Sequence, residues 1–196
     1  TILAQLALVI VLISAFGPNV MEWVEQFIED SIATAPEQLK QNWNEDFASL
    51  VVTMMARMLP TYMIFFALFY VFVTHGLSRQ LLKISGIDIT GLPPIRRWML
   101  PRALVWYYLI ALILDLFIDP TSGSLLVTIL WNLIPLLTFA FVIQAISFLF
   151  YLADVKQWNK ALPITGIVIS FFLPSAVSLL GVFDIAFKLR NHLQKP

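Results

Sequence analysis

Cysteine is missing from all 196 residues, which removes disulfides, thiolate metal sites and cysteine nucleophiles together and leaves the redox compartment open. Histidine is nearly as scarce. His75 and His192 are the full complement, too few for a histidine-rich metal site. Charge is thin as well: 12% of residues are charged against 60% hydrophobic, whereas soluble domains carry roughly 25% charged residues. With a mean hydropathy of +0.86, a globule of this size cannot hide its apolar surface from water. Signatures of chemistry are lacking too. There is no glycine-rich phosphate loop, no His-Glu-x-x-His, no Gly-x-Ser-x-Gly and no kinase set, so the expectation is a non-enzymatic protein without a cofactor or bound metal.

What is present is apolar sequence in long runs. Five stretches stand out, at 2–16, 50–73, 103–118, 125–152 and 162–183. A spanning helix needs about 20 mostly apolar residues. The reading is therefore an all-α, polytopic transmembrane bundle of about five to six spans, forming one membrane domain over 1–196. The chain opens on Thr1 and runs straight into the first, short stretch, which suggests the later part of a longer chain.

Charge distribution carries the topology. Residues 17–56 hold seven acids (Glu22, Glu25, Glu29, Asp30, Glu37, Glu45, Asp46) against the single base Lys40, so this segment reads as extracytoplasmic. Within it Val20, Trp23, Val24, Phe27, Ile28 and Ile32 recur at helical spacing, and Leu39, Trp43, Phe47 and Leu50 repeat the pattern after Pro36. That spells an amphipathic helical hairpin. Residues 76–102 hold Arg79, Lys83, Arg96, Arg97 and Arg102 against Asp88, which makes them a cytoplasmic basic loop by the positive-inside rule. Trp98, Trp106, Tyr107 and Tyr108 supply an aromatic belt beside it. Because the basic residues sit where topology needs them, nucleic acid is not an expected partner. Counting spans alternately places the basic tail 188–196 outside, against the same rule. Either the last stretch, broken by Pro163, Gly166, Pro174 and Gly181, does not fully cross, or a span is miscounted.

Polar groups at membrane depth are expensive and so are functional candidates. Asp115 reads as an ion or solute ligand, or as an interfacial carboxylate beside Asp119. Arg57, just before Pro60, suits a carboxylate or phosphate through its forked donors, or else snorkels or pairs with Asp115. Asn132, Gln144 and Ser147 lie in the fourth stretch, where interhelical hydrogen bonding competes with ligand binding. His75 reads as interfacial. Asp184 and Lys188 are four residues apart and Arg190 follows within two turns, the spacing of a structural ion pair.

At Leu100-Pro-Arg-Ala-Leu-Val-Trp-Tyr-Tyr108 and Leu180-Gly-Val-Phe-Asp-Ile-Ala-Phe-Lys-Leu-Arg190 the chain resembles the YybS-like family of bacterial polytopic membrane proteins. The hairpin, the proline opening the second span and Gln144 add to the likeness. That family is grouped by distant similarity with the S components of energy-coupling-factor transporters. The resemblance implies a multi-pass protein of the bacterial cell (inner) membrane, with a small-solute pocket lidded by the hairpin. On that reading Trp23, Trp43 and Arg57 face the pocket and Asp115, Asn132 and Gln144 complete a candidate ligand set. Expected partners are the lipid bilayer and membrane protein subunits, with a membrane-bound cyclic-dinucleotide phosphodiesterase suggested by gene neighbourhood. The competing expectation is a ligand-free scaffold or assembly subunit that docks other proteins.

Overall fold

The computed structural model describes residues 22, 26–27, 30–31, 33–34, 45–85, 93–119, 122, 124–159 and 161–193. Every regular element among them is helical, and the chain divides into two compact units, Thr1–Ile89 and Thr90–Pro196.

In the first unit the main element is α1, Glu45–Ile84, a continuous 40-residue helix. Pro60 lies inside it, and the helix runs on through Gly76 to Ile84. The basic segment expected as a loop from residue 76 is thus helical for its first third. Six of the seven residues at 77–83 are strong helix formers, Leu, Arg, Gln and Lys, and carry the helix on. Phe66, Phe69 and Phe72 are exposed along α1. The first apolar stretch and about half of the acidic hairpin, Trp23 and Trp43 included, lie outside the described residues, and residues 45–56 of the hairpin are the start of α1.

The second unit begins with a 3-10 turn at Ile95–Arg97, opened by Pro93 and Pro94, and continues into α2, Ala103–Phe117. After a turn in which Ser124 caps the next helix by accepting from the Val127 amide, α3 runs for 31 residues, Leu125–Val155. Gln157 takes a left-handed backbone, φ 53°, that ends α3 and reverses the chain. Two short helices follow: α4, Ala161–Phe172, and α5, Pro174–Ala186. The break between them is written in the sequence. Leu173 precedes a proline and is barred from the helical region; it sits at φ −134°, ψ 60°, and Pro174 opens the next helix where its missing N–H is harmless. A last turn, α6, covers Leu189–Leu193.

The side-chain pairings fix the directions. Leu100 meets Gln144, and Tyr108 meets Thr138, so α2 runs antiparallel to α3. Gly166 of α4 sits on Leu149, one short connection after the end of α3, so α4 runs back along α3. On α5, Gly181 abuts Phe141 and Ala145 and Asp184 meets Gln144, and just beyond it Arg190 of α6 meets Ser147, so α5 runs parallel to α3. α4 and α5 are therefore the two arms of a hairpin that leaves the Asp154 end of α3 and comes back to it.

That hairpin bears on the count left open by the charges. Arms of 12 and 13 residues rise only about 18–20 Å at 1.5 Å per residue, short of a hydrocarbon core of about 30 Å. The last stretch is not a single crossing. Lys188 and Arg190 return to the end that holds Arg96, Arg97 and Asp154. By length and composition two helices are able to cross a membrane, within α1 (Thr53–Ile84) and α3 (Leu125–Val155), while α2, α4 and α5 are shorter apolar helices.

The core of the second unit lies between α2, α3 and α5: Val105, Tyr108, Leu137, Phe141, Val182 and Ile185 form one buried cluster, with Val142, Ala145 and Val177 beside it. Tyr108 turns inward from the expected belt, while Trp106 and Tyr107 stay exposed.

Candidate functional site

The buried polar residues of the second unit gather at one end of α3. Gln144 and Ser147, three apart and so on one face of the helix, point toward α5 and the 3-10 turn. The Gln144 amide is oriented by its neighbours: its oxygen accepts from the Leu100 N–H at 3.0 Å, and its nitrogen donates to Asp184 Oδ2 at 2.6 Å. Asp184 is fully buried. Its Oδ2 also accepts from Arg190 Nε at 3.0 Å, while Oδ1 has no hydrogen-bond partner among the described residues.

Arg190 is 7% exposed and spreads its fork over three elements. Besides Asp184, it donates from one terminal nitrogen to the Arg96 carbonyl at 2.8 Å and from the other to Ser147 Oγ at 3.0 Å. Ser147 in turn shares its single proton between the carbonyls of Ile95 (2.7 Å) and Trp98 (2.9 Å). The guanidinium lies 5.2 Å from the Tyr151 ring centre, within cation–π range, and the Tyr151 hydroxyl donates to the Arg190 carbonyl. One buried ion pair thus ties α3, α5, α6 and the 3-10 turn together. A charge pair placed in an apolar interior survives only when further hydrogen bonds support it, and here Gln144, Ser147 and the Arg96 carbonyl supply them.

The ion pair differs from the one the spacing suggests. An Asp184–Lys188 contact needs unbroken helix, but α5 ends at Ala186 and Lys188 adopts a left-handed φ of 49° and is exposed. That reversal swings Arg190 back onto Asp184. The Gly-x-x-Asp run with its trailing arginine was legible; which cation closes the pair depends on where the helix stops.

A second polar knot lies deeper. The Tyr108 hydroxyl is 3.0 Å from Thr138 Oγ1 and 3.2 Å from Ser178 Oγ. Since Ser178 gives its proton to the Ser175 carbonyl, Tyr108 donates to Ser178 and accepts from Thr138. Neither Thr138 nor Ser178 was singled out in the sequence, because hydroxyls in apolar helices look alike until packing selects some of them.

The candidate ligand residues of this unit do not converge. Asp115 is exposed near the end of α2. Asn132 donates to the Thr128 carbonyl of its own helix at 2.7 Å. Gln144 is three turns farther along and belongs to the Asp184 network. Arg57 lies half-buried in α1 of the other unit, and Trp23 and Trp43 fall outside the described residues. Among the described residues no cluster of His, Cys, Asp or Glu suits a metal ion.

Beside the buried pair a cleft of about 420 Å³ opens to the surface, lined by Arg96, Arg97, Met99, Tyr151, Asp154, Arg190 and Asn191. Arg96 and Asp154 form an ion pair on its wall and also line a neighbouring cleft of about 240 Å³.

Comparison with known proteins gives a consistent placement. The chain is 30% identical over 138 residues to "Uncharacterized protein YybS" of Bacillus subtilis (strain 168), an alignment covering 69% of this chain and 44% of that protein. The chain therefore spans less than half the length of this curated relative. No solved structure matches. Residues 1–185 match the family described as "Predicted membrane protein (DUF2232)". With its apolar helices and exposed apolar faces, the chain is an all-helical integral membrane protein and belongs to that family.

Proposed function

We propose that this chain is part of a multi-pass subunit of the bacterial cell membrane that acts by docking other membrane proteins rather than by chemistry of its own. The observation that carries this reading is the closed interior of Thr90–Pro196. Among the described residues its buried polar side chains bond one another and nearby backbone, Asp184 Oδ1 apart, and a Cβ added at Gly181 would lie 2.0 Å from the Phe141 carbonyl oxygen, so the packing between α3 and α5 at that point leaves no room for a solute. What remains available is surface: large apolar residues along α2 and α4 and a charged end around Arg96, Arg97 and Asp154. The basic end faces the cytoplasm on this reading, because arginines concentrate there and the hairpin carries Lys188 and Arg190 back to the same side.

Native mass spectrometry of the full-length protein, gently extracted from its own membrane, tests the role. A copurifying subunit at fixed stoichiometry is the expected result. A stoichiometric small molecule lost on Arg57→Ala or Trp43→Ala overturns it in favour of S-component-like solute binding. Orientation is read by single-cysteine labelling, which these cysteine-free residues suit. Lys188→Cys and Arg97→Cys label from the cytoplasmic side and Ser122→Cys from outside; labelling of Lys188→Cys from outside removes the hairpin topology.

A further inference from the structure

We infer that the cleft at the end of α3 is a binding site for a phosphate-bearing anion at the membrane–water boundary. It stands apart from the docking role and rests on three features of its wall. First, the cleft is lined by three arginines, Arg96, Arg97 and Arg190, and by a single acidic residue, Asp154. Its volume of about 420 Å³ lies within the range of roughly 300–1,000 Å³ typical of small-molecule sites.

Second, the cations are available in different degrees. The exposed Arg97 guanidinium has no hydrogen-bond or ion-pair partner among the described residues. Arg96 is held only by a half-exposed contact, its side chain 43% and that of Asp154 51% accessible, and such pairs are readily exchanged. Arg190 is anchored: three of its five N–H groups are committed to Asp184, Ser147 and the Arg96 carbonyl. Two remain, on a rigid, nearly buried fork whose rim lines the cleft. Planar forks suit phosphate oxygens, and one held in advance loses little freedom on binding.

Third, the location favours an anion at headgroup level. The cleft lies where α3 and α5 end, and the neighbouring cleft that shares Arg96 and Asp154 with it is lined by Trp158, the residue type that settles at the membrane interface. Basic pockets between helices on the cytoplasmic side bind anionic headgroups. The same phosphate chemistry is offered by a lipid headgroup or by free phosphate in the cytoplasm.

The test is native mass spectrometry of the full-length protein in detergent, titrated with phosphatidylglycerol and separately with phosphatidylcholine. Wild-type protein is expected to retain one phosphatidylglycerol in clear preference to phosphatidylcholine. Arg97→Gln should weaken that retention about fivefold, the fold-change for one interfacial cation. Asp154→Asn should tighten it severalfold by removing the competing carboxylate, a gain that a merely structural role for Asp154 would not produce. Addition of millimolar inorganic phosphate separates the sources: displacement of the lipid assigns the site to soluble phosphate, and resistance assigns it to the headgroup. Equal retention of the two lipids, or an Arg97→Gln variant that binds like wild type, overturns the inference.

Discussion

The two arms of the α4–α5 hairpin are nearly equal in length and both apolar, yet they do opposite things. α4 buries little beyond Pro163 and Gly166 and leaves Ile164, Val168, Phe171 and Phe172 exposed. α5 buries Val177, Ser178, Gly181, Val182, Asp184 and Ile185 against α3 and α2. Hydrophobicity cannot make this choice, because lipid tails are as apolar as leucine and give no preference for turning one apolar face inward. Small and polar residues decide it. Gly181 lets two backbones touch, and Asp184 must find Arg190 and Gln144, so α5 is drawn in while α4 keeps its large apolar side chains exposed.

Breaking the charge pair on one side is the strongest way to erase the difference. Asp184→Leu leaves Arg190 buried without its counter-charge, a loss of about 3–5 kcal/mol; a collapse of the melting temperature in detergent is the expected outcome, and an unchanged melt would remove the pair from the account. Combining Asp184→Leu with Arg190→Met should recover much of that loss, since two apolar groups leave no orphaned charge. A double variant as unstable as Asp184→Leu would show that Arg190 matters through the turn it holds, not through Asp184.

Gly181→Ala comes next. Its methyl would lie 2.0 Å from the Phe141 carbonyl oxygen and 3.0 Å from the Ala145 amide nitrogen; backbone cannot step aside, so α5 must lift from α3 at a cost of about 1–3 kcal/mol. The same change on the other arm sharpens the contrast. A methyl at Gly166 meets only the end of the Leu149 side chain, Cδ1 at 2.3 Å, which can change rotamer. Alanine's better helix propensity, worth up to about 1 kcal/mol, offsets that adjustment. Melting of Gly166→Ala close to wild type is expected; a drop equal to that of Gly181→Ala would mean that α4 is packed as tightly as α5.

Much of the fold could be read from residue types. The apolar runs located α2 and α3 to within a few residues, because length and composition alone decide which segments suit a bilayer. The division at Leu173-Pro174 was also visible, as a proline barring helix at the residue before it. Gln144, Ser147, Asp184 and Arg190 drew notice as polar groups in apolar surroundings. Their assembly did not show, because residues 40 or more apart in sequence are brought together only by helix directions and contacts. Asp115 and Asn132 attracted the same notice, yet one stayed exposed and the other bonded its own helix.

Sequence by itself determined that this is a helical membrane protein with a basic end and a few buried polar groups, since those follow from the cost of exposing apolar side chains to water and charges to lipid. Tertiary structure alone decided that the last apolar stretch folds back as a hairpin, and that Arg190 rather than Lys188 meets Asp184. It also gathered the arginines of distant segments around one cleft. Each of these depends on where a helix stops and which faces touch, and those are properties of packing rather than of composition.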